Sequence, residues 1–554
     1  MDMGSRIRVG VAPAAALRAR ARLFAALEAA LPVEFVAWSE SGAVGGHDRE
    51  RAPGGDCAAL IAITPDPSGP LPPGARSVRV PVLVVAEHAG AEHPPEPTRL
   101  AEIGAVDRRV RGIVLEDHVV GPPPSAPHRV LAEARSGPVW THSVGEAPIH
   151  RVRCGLPDLG EDEVLYKFLS LHPVASVALI QFLREVCAGA DWRPPPLRAA
   201  FVFDDPNLRW HSYGFLDYRR LVRHADRHGY HVAMAMIPLD ASLPHGPTVS
   251  LFAQHADLLS LVFHGNDHLK DELLLPADET SALAMMAQAV RRVTRFERST
   301  GLGVDRVMMP PHGRCSAATS RALAALGFEA LCAIHAQPWT ADRPTSPVLA
   351  AWRPAEFVGG CAVIPRMAMD STDATIALRA FLDHPLVVYW HHEDLASGLD
   401  PLAEMADRIN RLGEVRWTSV GDIARTNVAT RLVGEQLLVR PYSGRVRVHA
   451  PAQAREVIVP GPDTGDTESD FDGWSVDAGR VRRFDTAASL DVRPVHEVRL
   501  CPAAEIDPRA VAPPSWKPWP VVRRLVVEAR DRTLPLRAAG FRKNPLAPVV
   551  DRAT

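Results

Sequence analysis

Apolar and polar positions keep changing period between Met1 and Ala190. Ile7–Val11, Val33–Trp38, Cys57–Thr64, Val80–Glu87 and Ile113–Leu115 read as strands, while Ala14–Leu31 has helical spacing. The alternation predicts an open, parallel α/β sheet over residues 1–190. Its first loop, VGVAPAAAL, has one glycine and matches neither G-x-G-x-x-G nor G-x-x-x-x-G-K-S/T. Nucleotide binding therefore has no support, and a structural or regulatory role is expected for this domain rather than a second active site. A helix over Val164–Val186 and the proline run at Trp192–Pro196 mark its end.

From 197 to 427 the alternation continues. Strands are expected at Ala200–Phe203, His231–Ile237, Leu258–Phe263, Arg306–Met309, Ala330–Ile334, Leu386–Trp390 and Val415–Thr418. Between them, Phe215–Arg227, Ala277–Ser299, Ala317–Leu326, Asp373–Leu382 and Leu402–Leu412 show helical periodicity. Seven strands with intervening helices predict a deformed (β/α)7 barrel, with chemistry at the carboxyl ends of its strands. Residues 428–512 alternate at period two in QLLVR (436–440), RVRVH (445–449), EVIVP (456–460) and EVRLC (497–501), which predicts a small antiparallel β-sandwich. Its acidic loop GPDTGDTESDFDG lacks the spacing of a calcium loop and reads as solvated. Residues 513–554 combine Trp516 and Trp519 with Lys517, Arg523, Arg524, Arg530, Arg532, Arg537, Arg542 and Lys543. That tail is either an amphipathic arm touching anionic lipid or a helix packed on the body.

Composition narrows the partners. With 62 basic and 65 acidic residues among 554, the net charge of -3 offers no general attraction to nucleic acid. No window approaches the roughly eighteen consecutive apolar residues of a spanning helix. The first residues interleave Arg with apolar positions, unlike the unbroken core of a secretory leader. Seven widely spaced cysteines (57, 154, 187, 315, 332, 361 and 501) form no C-x-x-C pair and fit buried thiols in a reducing compartment. A cytoplasmic protein is the expectation.

The chemistry-bearing residues fall where strands end. AAFVFDDPN delivers Asp204 and Asp205 into a turn, so that one carboxylate can bind a cation while the other accepts a proton; the same tetrapeptide is also good turn chemistry. LLSLVFHGNDH places His264 and His268 four apart on one loop, able to meet a cation together with Asp205 and leave positions open for water and substrate. RVMMPPHGRCS supplies a rigid Pro310-Pro311 turn followed by His312 and Gly313, whose backbone can line a cleft. LVVYWHHEDL ends on His391 and His392, either of which can protonate a leaving amine; His391, the first to leave the strand, is preferred.

In this order the motifs resemble those of the polysaccharide deacetylases, the NodB-homology group of carbohydrate esterase family 4. Phe203-Asp204-Asp205 matches that family's aromatic-Asp-Asp motif, His264 and His268 its His-x-x-x-His motif, Pro310-Pro311-His312-Gly313 its Pro-Pro-x-Gly element, and His391 or His392 its late histidine. The resemblance covers the barrel stretch and leaves both flanking regions outside it. It implies Asp204 as base, Asp205, His264 and His268 as the metal ligands and the late histidine as acid; the chemistry of that donor set makes a divalent ion, zinc, the expected metal. Two positions depart from it. Met309 stands where the family has an Arg that orients the base, and Gly265 where it favours Ser or Thr. Arg314 and Arg366 are candidates for the missing guanidinium, and Asp370 for orienting the late histidine.

The resulting expectation is a metal-dependent hydrolase that removes an acyl group from an amide nitrogen of a sugar or glycan, hence an enzyme acting on C–N bonds other than peptide bonds. Two rivals stand beside it. One is a carbohydrate-binding or scaffold protein with a degenerate barrel; the other is a glycosidase pairing Asp204 or Asp205 with Glu393.

Overall fold

The computed structural model describes residues 6–38, 57–71, 79–88, 94–124, 129–334, 352–454 and 506–542, apart from 146, 162, 189–191 and 277, together with short strands between 455 and 505. It divides into two compact units: residues 1–193, 346–353 and 372–383 form the first and the remainder the second.

The first unit is built on a nine-stranded sheet. Ile7–Ala12, Val33–Ala37, Ala59–Thr64, Val82–Ala86 and Ile149–Gly155 run parallel, as the βα alternation predicts. The other half is antiparallel, with Gly137–Ser143, Arg129–Ala134, Glu96–Leu100 and Val114–Asp117 side by side in that order, so the sheet is mixed and not parallel throughout. Both long helical stretches of this unit are broken. Arg20 separates Ala14–Ala19 from Ala21–Ala30, and His172, ahead of Pro173, separates Leu165–Leu171 from Pro173–Val186.

The second unit contains a closed barrel of seven parallel strands: β1 (Arg198–Asp204), β2 (Val232–Met236), β3 (Leu259–Phe263), β4 (Asp305–Met308), β5 (Ala330–Ala333), β6 (Cys361–Ala368) and β7 (Leu386–Trp390). β1 closes the ring by pairing with β7 on one side, Phe201 opposite Val388, and with β2 on the other, Phe201 opposite Val232. Two corrections to the expected strand set follow. Cys361–Ala368 is a barrel strand, and its mid-strand Pro365 hid it, because proline removes a ladder donor and argues against a central strand. Val415–Thr418 shrinks to Arg416–Trp417, a two-residue edge on β1 outside the ring.

Alternate residues of the strands fill the barrel. Ala200, Val202, Ala233, Ala235, Val262, Val307, Ala330, Cys332, Ala362, Ile364 and Val387 form one buried cluster, rich in alanine because a seven-stranded ring leaves a narrow interior. Several covering helices begin and end as their sequences dictate. The Asp217 side chain caps Tyr218–His228 and Asp278 caps Glu279–Thr300, and each helix stops at a left-handed glycine, Gly229 and Gly301. The helix Gly246–Gln254 was not evident from the periodicity.

Beyond the barrel the chain is β-rich. Val428–Val433 pairs antiparallel with Gln436–Pro441, and Arg445–His449 with Val495–Arg499, around a core of Leu437, Val439, Val446 and Val448. Gln436–Pro441 and Glu456–Ile458 pair parallel, against the antiparallel expectation. The acidic loop lies outside the described residues. The last element, the helix Trp519–Arg542, packs on the barrel within the second unit, and among the described residues no helix is long and apolar enough to cross a membrane. Cys57, Cys154, Cys187, Cys315, Cys332 and Cys361 are buried.

The interior alanines set a packing limit. Replacing Ala235, fully buried inside the ring, with Leu should cost about 1–3 kcal/mol through overpacking, measured as a lowered denaturant midpoint.

Candidate metal centre and catalytic cleft

Period-two alternation carries the barrel interior up into the cleft. Continuing Ala200 and Val202 along β1 places Asp204 inside; Val262 on β3 leads to His264, Ile364 on β6 to Arg366, and Val387 on β7 to Tyr389 and His391. A layer of hydrocarbon thus gives way, at the carboxyl ends of the strands, to a layer of polar side chains.

Asp205 and His268 cannot reach that layer by strand geometry. Both adopt left-handed backbone conformations, φ 81° and 55°, which non-glycine residues seldom occupy. These turns bring Asp205 Oδ1 to 3.1 Å from His268 Nε2 and 3.7 Å from His264 Nε2. His264 Nδ1 donates to the Met309 carbonyl at 2.9 Å, which fixes the tautomer and leaves the Nε2 lone pair for a cation. Asp205 Oδ1 is buried and accepts no hydrogen bond among the described residues, despite the nearby imidazoles. Carboxylate and imidazole lone pairs aimed at a shared third partner have this arrangement, and the three side chains form a candidate metal group.

Electrostatics agree with that donor set. Burial, above all, pushes both imidazoles down, His268 to about 3, so both are neutral and able to coordinate at physiological pH. For Asp205 burial acts upward but is outweighed by His268, His264, Arg524 and His391, and its carboxyl lies below the ordinary range.

The loop between the two histidines is held by Glu272, a residue no motif pointed to. Its buried carboxylate accepts from the backbone N–H groups of Asn266 (2.7 Å) and His268 (3.0 Å) on one oxygen, and of Asp267 (3.0 Å) and Leu269 (3.3 Å) on the other. Gly265 is explained by the same carboxylate. A Cβ there would lie 1.9 Å from Glu272 Oε1 and 2.7 Å from Pro311 Cγ, so the Ser or Thr expected from the resemblance has no room.

Met309 is explained as well. Its side chain packs inside the barrel, and the guanidinium beside Asp204 comes from Arg366 on β6, whose Nη1 donates to Oδ1 at 3.1 Å and to Oδ2 at 3.0 Å. Arg366 also lies over the Tyr389 ring, 4.7 Å from its centroid, and reaches the Pro310 carbonyl at 3.4 Å. Arg314, the other candidate, lies 3.9 Å from Asp271 instead.

The two late histidines separate. His391 follows the inward register and is exposed at the cleft. His392 is buried against Tyr213 and Phe215, with Nε2 3.7 Å from Asp531 Oδ2, while Asp370 is exposed. His312, also left-handed at φ 59°, brings its ring centroid to 5.6 Å from that of His268.

Asp531 belongs to the C-terminal helix, which touches the cleft at several points. Tyr213 donates to Asp531 at 2.8 Å, Arg523 to the His268 carbonyl at 2.6 Å, and Arg209 to Glu528 at 2.6 Å. Arg524 forms a buried pair with Asp240, Nη2 to Oδ2 at 2.6 Å, and its Nη1 lies 4.0 Å from Asp205. Each of these partners comes from a distant part of the chain, so no local pattern in the sequence signals the contact.

No protein-family model and no curated protein matches the chain. Solved structures do. Agd3, described as a novel carbohydrate deacetylase, is 9% identical with a TM-score of 0.43, over 90% of this chain and 97% of that one. A family 4 carbohydrate esterase from Streptomyces lividans, solved with acetate, is 13% identical (TM-score 0.24, 39% and 88% of the two chains), and a CE4 esterase from Streptococcus mutans is 13% identical (0.26, 40% and 85%).

Glu272→Ala should weaken zinc binding roughly 10–100-fold in chelator competition, because the loop loses its brace while all three candidate ligands remain. A second outcome concerns pH. The Asp531 carboxyl is raised by burial but held at about 2 overall by His392, Tyr213 and Arg530. A depressed carboxyl stabilises fully above its ordinary 3.8 and loses that contribution as pH falls towards 2. Asp531→Asn should therefore flatten the acid limb of the stability curve in that window, as read by denaturant titration.

Proposed function

We propose that the chain is a divalent-metal hydrolase that removes an acyl group, most simply acetyl, from an amide nitrogen on a sugar or glycan. The observation that carries this reading is the meeting of Asp205, His264 and His268 with an Arg366-braced Asp204 at one end of the barrel. A carboxylate and two imidazoles suit zinc, and three protein ligands with open positions are the pattern of a catalytic site. When bound, such an ion supplies Lewis acidity and acidifies water in its coordination sphere.

The chain's own groups do the rest. Arg366 fixes the Asp204 carboxylate in the cleft, and Asp204 takes the proton from the attacking water. As the C–N bond breaks, the nitrogen needs a proton, and His391, on the inward register of β7, donates it. Water and amide thereby become carboxylic acid and amine. His392, bound into the Tyr213 and Asp531 cluster, positions the turn that carries His391. Left-handed strain at Asp205 and His268 accompanies the convergence of ligands that strand geometry would hold apart.

The non-catalytic alternative drew on Met309 and on the large accessory domains, and Arg366 answers the first of these by acting on Asp204 from another strand. The glycosidase reading gives the two loop histidines no task. Asp204→Asn should abolish amide hydrolysis while the purified protein keeps one zinc per chain. A variant that lost the ion and kept activity would reverse the roles of the two aspartates, and a folded wild type that binds no divalent metal would sink the reading.

A further inference from the structure

The C-terminal helix has its polarity reversed. Its buried stripe is Pro520, Arg524, Glu528 and Asp531, while Trp519, Val522, Leu525, Val526 and Leu536 are exposed, by 49–73% of their surface. Trp516, just before the helix, is 77% exposed. The charged stripe is occupied with the cleft: Arg524 pairs with Asp240, Glu528 with Arg209, and Asp531 with Tyr213 and His392. An amphipathic helix normally does the opposite, burying its apolar side.

Further apolar side chains are exposed on the loops that hold this helix. The loop after β1 carries Trp210, 51% exposed, beside Arg209; the loop after β2 carries Leu243, 84% exposed, near Asp240; the loop after β3 carries Leu275, 69% exposed, beyond His268. Each of these loops both contacts the helix and presents a large apolar residue. All three leave the barrel at the end that holds Asp205, His264 and His268.

Tryptophans beside exposed lysines point to the partner. Between 513 and 536 the exposed charged side chains are Lys517 and Arg530, of which Arg530 is paired with Asp531 at 2.6 Å, while both acidic residues, Glu528 and Asp531, are buried. Lys270 is exposed on the His268 loop; the exposed acids nearby are Glu393, near Arg530, and Asp278 and Glu279 after Leu275, with Glu279 paired with Arg321 at 2.7 Å. Tryptophans and aliphatic residues beside lysine and arginine match the boundary of an anionic bilayer, where indole sits at the headgroup level and the cations meet phosphate.

We propose that the mouth of the barrel docks on an anionic lipid surface through Trp516, Trp519, Leu525 and Val526 of the C-terminal segment and the apolar loop tips around it. Docking sets the candidate catalytic cleft within reach of N-acyl groups carried on lipids. That last step rests on the deacylase reading, whereas docking is measured without turnover, so either can fail alone.

The test is co-sedimentation of the full chain with vesicles of phosphatidylcholine alone and with phosphatidylglycerol added. Binding is expected to the anionic vesicles, with a blue shift of tryptophan fluorescence. The triple variant Trp519→Ser, Leu525→Ser, Val526→Ser should lose it while keeping the wild-type circular dichroism spectrum, since all three side chains are exposed. Lys517→Glu should weaken binding by at least about fivefold. Absence of wild-type binding, or equal binding by the triple variant, overturns the proposal. So does a lipid-free dimer that the triple variant abolishes, which would assign the face to a second copy of the chain.

Discussion

Closure of the seven-stranded ring is the constraint on which the cleft depends. Once β1 pairs with both β2 and β7, each strand has one face turned inward, and a one-residue slip would exchange every inward side chain for an outward one. Alanine and valine hold that register through the hydrocarbon layer, and the next inward positions are Asp204, His264, Arg366 and His391. Four side chains from strands far apart in sequence therefore share one surface without any local motif linking them. Arg366 can brace Asp204 because β6 and β1 both flank β7 and project into the same narrow interior.

Two candidate ligands stand outside this scheme and need support of another kind. Asp205 follows Asp204 directly, and His268 sits on a loop, so each reaches the centre only through a left-handed turn. The surroundings hold those turns in place. Glu272 gathers four backbone N–H groups of the histidine loop into a buried carboxylate, and Arg292 ties Asn266 and Asp267 to the helix behind it. The C-terminal helix adds Arg523 on the His268 carbonyl and Arg524 between Asp240 and Asp205. A buried ion pair such as Arg524 and Asp240 contributes little net stability, but losing one partner leaves a charge stranded beside the centre. Helix and cleft are thereby coupled.

That coupling alters the meaning of the tail. Its tryptophans and arginines left open a choice between a lipid-facing arm and a helix packed on the body. Packing is what the structure has, through the polar stripe, and the apolar stripe is the one left outward. A helix that turns its charges to the protein and its hydrocarbon to the surroundings differs from an ordinary surface helix, although composition alone treats the two alike.

Local physics made much of this legible in the sequence. Strand runs such as Leu386–Trp390, the acid pair after an apolar run, and the two histidines four apart are short-range features, and so is the alternation of strands and helices behind the barrel. Pro365 concealed β6 because a proline argues against a strand, and with β6 went the placement of Arg366. Met309 and Gly265 looked like defects for a related reason. Their compensations, Arg366 and Glu272, belong to other positions, and only packing shows that Glu272 occupies the space a side chain at 265 would need. The sequence by itself determined the barrel's period, the residue types of the centre and their order. Tertiary structure alone decided which histidine faces inward, which arginine meets Asp204, and that a helix from the far end of the chain touches the cleft. The reason is physical: periodicity is a property of neighbours along the chain, whereas these contacts depend on ring closure and on which buried charges find partners.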